Sequence, residues 1–136
     1  MGNVATAPVL DSDILIDHLR DAGPGRQLVE ELSATTGFWI TAVTAFELAL
    51  GSSYARDPTP ADALLAGPCL MLTREAALCA GSVLRELRAA GEGVEIRDAM
   101  QAGICLEAGA PLVTRNLRHF ARIPGLQVTE PQRWPR

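Results

Sequence analysis

A chain of 136 residues with 48% hydrophobic and 21% charged side chains is long enough to bury a core of its own, which excludes disorder and any need for disulfides or metal in order to fold. Its formal net charge of -4 gives the molecule as a whole no attraction for nucleic acid, and all 12 basic residues are arginine. No apolar run approaches the roughly 20 residues needed to cross a bilayer, and the N-terminal MGNVATAPVL lacks the basic and hydrophobic regions of a secretory signal. MGNVAT fits the loose pattern for N-myristoylation, but nothing else in the chain points to a membrane. The cysteines Cys69, Cys79 and Cys105 have no C-x-x-C spacing and sit in apolar stretches. They read as small core residues of a protein in a reducing cytosol, so the expected location is cytoplasmic.

In chain order, the apolar run Ala5 to Leu10 reads as a strand, and Ile14, Leu15, His18 and Leu19 follow a helical period that ends before DAGPGR. Pro24 opens a second helix with Leu28, Val29 and Leu32 on its buried side. GFWI is a short β-rich run, and TAVTAFELALG a helix that stops at Gly51. DPTPADALLAG is a loop leading into a short helix, and PCLML another strand. Thr73 to Ala90 is the clearest helix, with Ala76, Ala80, Val83, Leu84 and Leu87 on one face and Arg85, Glu86 and Arg88 on the other. Val94 to Ala108 repeats the helical pattern. APLVT is a strand, NLRHF a turn of helix, and GLQV a last strand. Continuously apolar strands alternating with helices predict an α/β fold, a mainly parallel sheet with helices on both faces.

In such sheets ligands collect beyond the carboxyl ends of the strands. That edge falls at Asp11, at Glu47 in the helix after FWI, at Thr73, and at the TRN of residues 114–116. Each polar residue has a local explanation. Asp11 and Asp13 suit the N-cap of the first helix. Thr44 and Glu47 fit a capping box. Asp98 gains from the dipole at a helix start, and Asn116 can cap the turn that follows it. As a set, however, they share one sheet edge, and carboxylates gathered there repel until a proton or a divalent cation intervenes. Mg²⁺ and Mn²⁺ take such oxygen ligands and can activate a water against a phosphodiester.

With these residues in hand, the chain resembles the PIN-domain ribonucleases of the VapC toxin type nearly end to end, as a single PIN-like domain over residues 1–136. VLDSDILIDHLR resembles the opening motif, ITAVTAFELALG the second, and IRDAMQAGICLEAGAPLVTRNLRHFARIPGLQV the third and fourth in order. The resemblance implies a three-layer α/β/α sandwich with a central, mainly parallel sheet. It implies hydrolysis of RNA with a Mg²⁺- or Mn²⁺-activated water. Asp11 and Asp98 would be the principal metal ligands; Glu47 would bind the metal or position the water, and Asn116 would support the site. It further implies a homodimer and a cognate VapB-like antitoxin whose tail plugs the acidic groove, frequently with an arginine. Asn116 stands where many relatives carry Asp, and Asp13 where Asn is common. Met100 and Gln101 replace smaller or more apolar residues and read as neutral.

Arg97, Arg115 and Arg118 lie beside the acids and could hold RNA phosphates, or they could be solvated and paired with Glu95 and Glu107. Ser12 and Thr114 could donate hydroxyls to a metal's water shell or serve as turn residues. Trp39 and Trp134 could stack a base, Trp39 fitting the core better. His18 and His119 show no metal spacing and read as structural or surface residues. Two other readings compete. LDSDIL also fits the D-x-D opening of haloacid-dehalogenase-like phosphatases, but those rely on a lysine and this chain has none. A PIN-like domain can also persist as a catalytically weak RNA- or protein-binding module, against which stands the presence of all three carboxylates.

Overall fold

Five two-residue strands form the centre of the molecule in a computed structural model that describes residues 7–135. They are β1 (Val9–Leu10), β2 (Ile40–Thr41), β3 (Cys69–Leu70), β4 (Leu112–Val113) and β5 (Val128–Thr129). The MGNVAT pattern lies outside the described residues. β1 pairs in parallel with β4, with Val9 opposite Leu112, and β4 pairs in parallel with β5. β2 and β3 form a second parallel pair. A parallel bridge between Val9 and Trp39 joins the two pieces. There the Trp39 amide donates to the Pro8 carbonyl at 2.8 Å, and the Leu10 amide to the Trp39 carbonyl at 3.0 Å. The resulting order, β3-β2-β1-β4-β5, reverses direction between β1 and β4.

Helices α1 (Ser12–Arg20), α2 (Pro24–Ser33), α3 (Ala42–Leu50), α4 (Ser52–Arg56), α5 (Thr59–Leu65), α6 (Arg74–Ala89), α7 (Ile96–Ala108) and α8 (Leu117–Phe120) fill the connections, and a 3₁₀ turn spans Pro131–Arg133. Alternation along each strand sends neighbouring side chains to opposite faces. Val9 and Leu112 join Val83, Leu87, Ala102, Cys105 and Phe120 from α6, α7 and α8 on one face. Leu10, Ile40 and Val113 join Ile14, Leu15, Leu28, Val29, Leu32 and Leu48 from α1, α2 and α3 on the other. The expected α/β/α sandwich with a parallel sheet is therefore present. A third cluster of Val43, Ala76 and Ile104 ties α3 to α6 and α7.

Two expectations change. The strands are shorter than the apolar runs that mark them, because pairing stops where each chain turns into its helix. Cys69 is exposed, Cys79 partly so, and only Cys105 is buried. Trp39 packs against one core cluster, as expected, and Trp134 against the other.

Candidate active site at the sheet edge

Asp11 sits directly after β1 and caps α1, its Oδ1 accepting the Ser12 amide at 2.9 Å. Thr114 sits directly after β4, and its hydroxyl donates to Asp11 Oδ2 at 2.8 Å. This bond spans the point where the strand order reverses, the crevice where α/β sheets collect ligands. Thr114 Oγ1 in turn accepts the Asn116 amide at 3.0 Å. Burial, then the neighbouring Asp13 charge, push the Asp11 carboxyl up to about 6. Asp13 is raised as well, chiefly by burial. Its Oδ2 accepts the Arg115 amide at 2.9 Å, while its Oδ1 is buried with no partner.

Glu47 arrives from α3. The helix begins at Ala42 rather than Thr44, because the Thr41 hydroxyl accepts the Thr44 amide at 3.1 Å. The expected Thr44–Glu47 capping box is therefore absent, and Glu47 lies in the body of the helix, free to reach across the edge. It pairs with Arg97 Nη1 at 2.5 Å. Burial raises its carboxyl despite the Arg97 charge and a Ser12 hydroxyl bond that both pull it down; Asp11 and Asp98 add to the rise.

Asp98 lies in the first turn of α7 and is 4% exposed. Arg97 Nη2 approaches its Oδ1 at 3.1 Å. Its buried Oδ2 receives no hydrogen bond; His119 Nδ1 stands 3.5 Å away, at ion-pair distance. The fold thus brings Asp11, Glu47 and Asp98 to one edge, each within the field of the others. Among the described residues no three acidic, histidine or cysteine side chains are grouped as a ready-made metal cage, for the Arg97 guanidinium stands between Glu47 and Asp98. The donor set still fits a hard divalent cation. It is all oxygen, two of its carboxyls are raised by burial and mutual repulsion, and one buried Asp98 oxygen lacks a donor.

The other expected site residues fall out differently. Asn116 is exposed at the start of α8, its side chain making no cap bond. Arg97 pairs with Glu47 and Asp98 rather than with Glu95 or Glu107. Arg115 turns back to α1, its Nε 3.4 Å from Asp17 Oδ2 and 4.0 Å from Asp13 Oδ2. Arg118 is exposed and has no ion pair among the described residues. His119, read as structural or surface, lines a cavity of about 380 Å³ with Asp98, Glu95 and Arg122. Its spacing of three from Asn116, one turn along a helix that opens at the sheet edge, is the signal that could have placed it there.

Gln101, expected to be neutral, is the largest correction. At 2% exposed, it accepts from the Thr41 hydroxyl at 2.5 Å and donates at 3.2 Å to both Asp11 Oδ1 and Thr44 Oγ1. An amide has both a donor and an acceptor end, so it can join β2, α3 and Asp11 in one buried network. Gln101→Leu keeps the volume but leaves these groups unpaired. The expected loss is about 1–2 kcal/mol of stability, measured by urea denaturation, together with slower cleavage as Asp11 loses a tether. Unchanged values for both would show the network to be idle.

A parallel α/β sheet whose edge carries two buried carboxylates and a third partly buried one is an architecture suited to metal-dependent phosphoryl transfer. A PIN domain profile matches residues 9–126. Ribonuclease VapC19 of Mycobacterium tuberculosis is 29% identical over 121 residues, covering 88% of this chain and 96% of that protein. The tRNA(fMet)-specific endonuclease VapC of Salmonella typhimurium is 32% identical over 101 residues, covering 71% and 76%. Among solved structures, DNA-bound VapBC from Salmonella typhimurium superposes with a TM-score of 0.78 at 25% identity, covering 93% of this chain and 98% of that one. The chain belongs to the PIN-domain family, as a ribonuclease of the VapC type. Nucleases of this type depend on a divalent metal.

Proposed function

We propose that the whole chain acts as one PIN-like domain, an endoribonuclease toxin that hydrolyses RNA phosphodiesters with Mg²⁺ or Mn²⁺ and is held in check by a VapB-like antitoxin. The observation that carries this reading is the convergence of buried Asp11 and Asp98 with partly buried Glu47 at the sheet edge, with Asp98 Oδ2 accepting no hydrogen bond. Asp11 and Asp98 are the principal ligands in this reading, Glu47 binds the cation or positions the attacking water, and Asn116 supports the edge. A divalent cation bound there supplies Lewis acidity toward water and phosphate oxygens. Thr114 and Gln101 hold Asp11 in orientation, and the Ser12 hydroxyl does the same for Glu47. Arg97 beside Glu47 and Asp98, Arg115 beside Asp13 and Asp17, and the exposed Arg118 supply the phosphate contacts in this reading.

A groove of about 420 Å³ runs outward from Glu47 along Ile16, Leu19, Leu48, Tyr54 and Ala61. It suits an apolar antitoxin segment that ends in a cation against the acids. Phe46 and Leu50, exposed one turn apart on α3, are further apolar surface for a partner or for the second copy of a homodimer. Among the described residues no helix is long and apolar enough to cross a membrane.

The test is incubation of a structured RNA with the protein and Mn²⁺, with and without EDTA. Products with Mn²⁺ that fall to background on chelation are expected, as is slowed growth on expression of the protein alone. Intact RNA in both tubes would favour a binding module; equal products in both would remove the metal from the mechanism.

A further inference from the structure

Of the three carboxylates, Asp11 is held by neutral donors, the Ser12 amide, the Gln101 amide and the Thr114 hydroxyl. Glu47 and Asp98 instead share the two arms of one guanidinium, that of Arg97. The other nearby arginine, Arg115, is engaged with Asp13 and Asp17. Arg97 is therefore the full positive charge set among the three acids. Part-burial works against that charge, yet the Asp98 bond and the fields of Glu47, Asp98 and Asp11 more than offset it, so the guanidinium is held charged more firmly than usual.

Its place in the helix argues the same way. Arg97 lies in the first turn of α7, where the macrodipole disfavours a cation, so the acids hold it there against the field of its own helix. Its side chain is 43% exposed, and a long flexible arm can leave toward solvent without moving the backbone. We propose that Arg97 is the resident counter-ion of this cluster and sets its affinity for divalent cations, which bind by exchanging with its guanidinium at Glu47 and Asp98. This rests on the metal-dependent nuclease reading. Before exchange Arg97 keeps two like charges together in a folded apo protein. After exchange its fork is free for a phosphate beside the acids.

Competition and support have opposite signatures. A residue that only supports the fold, once removed, weakens stability and metal binding together. A counter-ion, once removed, weakens the apo fold and tightens the cation. The experiment is calorimetric titration of Mn²⁺ into wild type, Arg97→Gln, Arg97→Lys and Asp98→Asn, with thermal unfolding in EDTA and in saturating Mn²⁺. Arg97→Gln is expected to bind Mn²⁺ roughly fivefold to tenfold more tightly. It should melt below wild type in EDTA and close that gap in Mn²⁺. Arg97→Lys, a charge without the fork, should fall between. Mn²⁺ binding by Arg97→Gln no tighter than wild type overturns the inference, and if Asp98→Asn still weakens binding, the nuclease reading survives it. A wild type that takes up no Mn²⁺ overturns both.

Discussion

Asp11→Asn is expected to lower RNA cleavage by about a hundredfold or more, the equivalent of roughly 3 kcal/mol of transition-state stabilisation, while making the metal-free protein more stable at neutral pH. The two effects have one cause. Asp11 is 7% exposed, and burial beside Asp13 lifts its carboxyl from 3.8 to about 6. In the folded chain the proton is therefore held up to about pH 6, and in the unfolded chain only up to about 4. Between those values the folded state binds more protons, so stability falls as pH rises through the window. The full cost of roughly 3 kcal/mol is present above it and absent below it. Asparagine has nothing to ionise, and its carbonyl can still accept the Ser12 amide. Thermal unfolding in EDTA at pH 4.5 and 7.5 separates the two proteins: their difference should be small at the acid end and should favour Asp11→Asn at the other. A mutant that cleaves RNA at the wild-type rate would remove Asp11 from the chemistry.

The raised carboxyl also explains why so much of the site is legible from the chain while its working parts are not. Asp11 directly follows an apolar strand, Asp98 opens a periodic helix, and both positions follow from strand and helix rules alone. Glu47 follows from them only in part. TAFE resembles a capping box, and nothing within those four residues says that Thr41, three residues earlier at the end of β2, would take the capping role and release the glutamate. Gln101 and Thr114 are harder still. Their importance lies in hydrogen bonds to Asp11 across sequence separations of 90 and 103 residues, and no local pattern encodes such a pairing. Arg97 was legible as a basic neighbour of an acid, but not as the bridge between Glu47 and Asp98, since that depends on how close α3 comes to α7. The fold class came through because each strand is a continuous apolar run, whereas strand length did not, because apolar residues continue past the last paired position into the loops.

The position of α7, which carries Arg97 and Asp98, is set in part by its close approach to α6, and this leads to the second large effect. At Gly103 an added Cβ would lie 2.5 Å from the Ala76 carbonyl oxygen and 2.9 Å from both the amide nitrogen and Cβ of Ala80. Two of the three contacts are backbone, so no rotamer change relieves them and the helices must part. Helix propensity alone favours alanine over glycine by about 1 kcal/mol, yet forced separation of a packed pair costs about 3 kcal/mol or more. Gly103→Ala should therefore lose about 2–3 kcal/mol net, read as a lower urea midpoint. The loss reaches the site because α7 also carries Arg97, Asp98 and Gln101. Shifting that helix by a fraction of an ångström alters the reach of Gln101 to Asp11 and the spacing of Asp98 from Glu47, and a misplaced catalytic group is costly to rate. Cleavage should fall by about tenfold or more under conditions where the variant is fully folded. Ala80→Gly in the same chain should restore little, since it removes one methyl and leaves the Ala76 carbonyl and the Ala80 amide where they are. A more stable Gly103→Ala protein would mean that the α6–α7 spacing is elastic, and that Asp98 is held at the sheet edge by something other than this packed glycine.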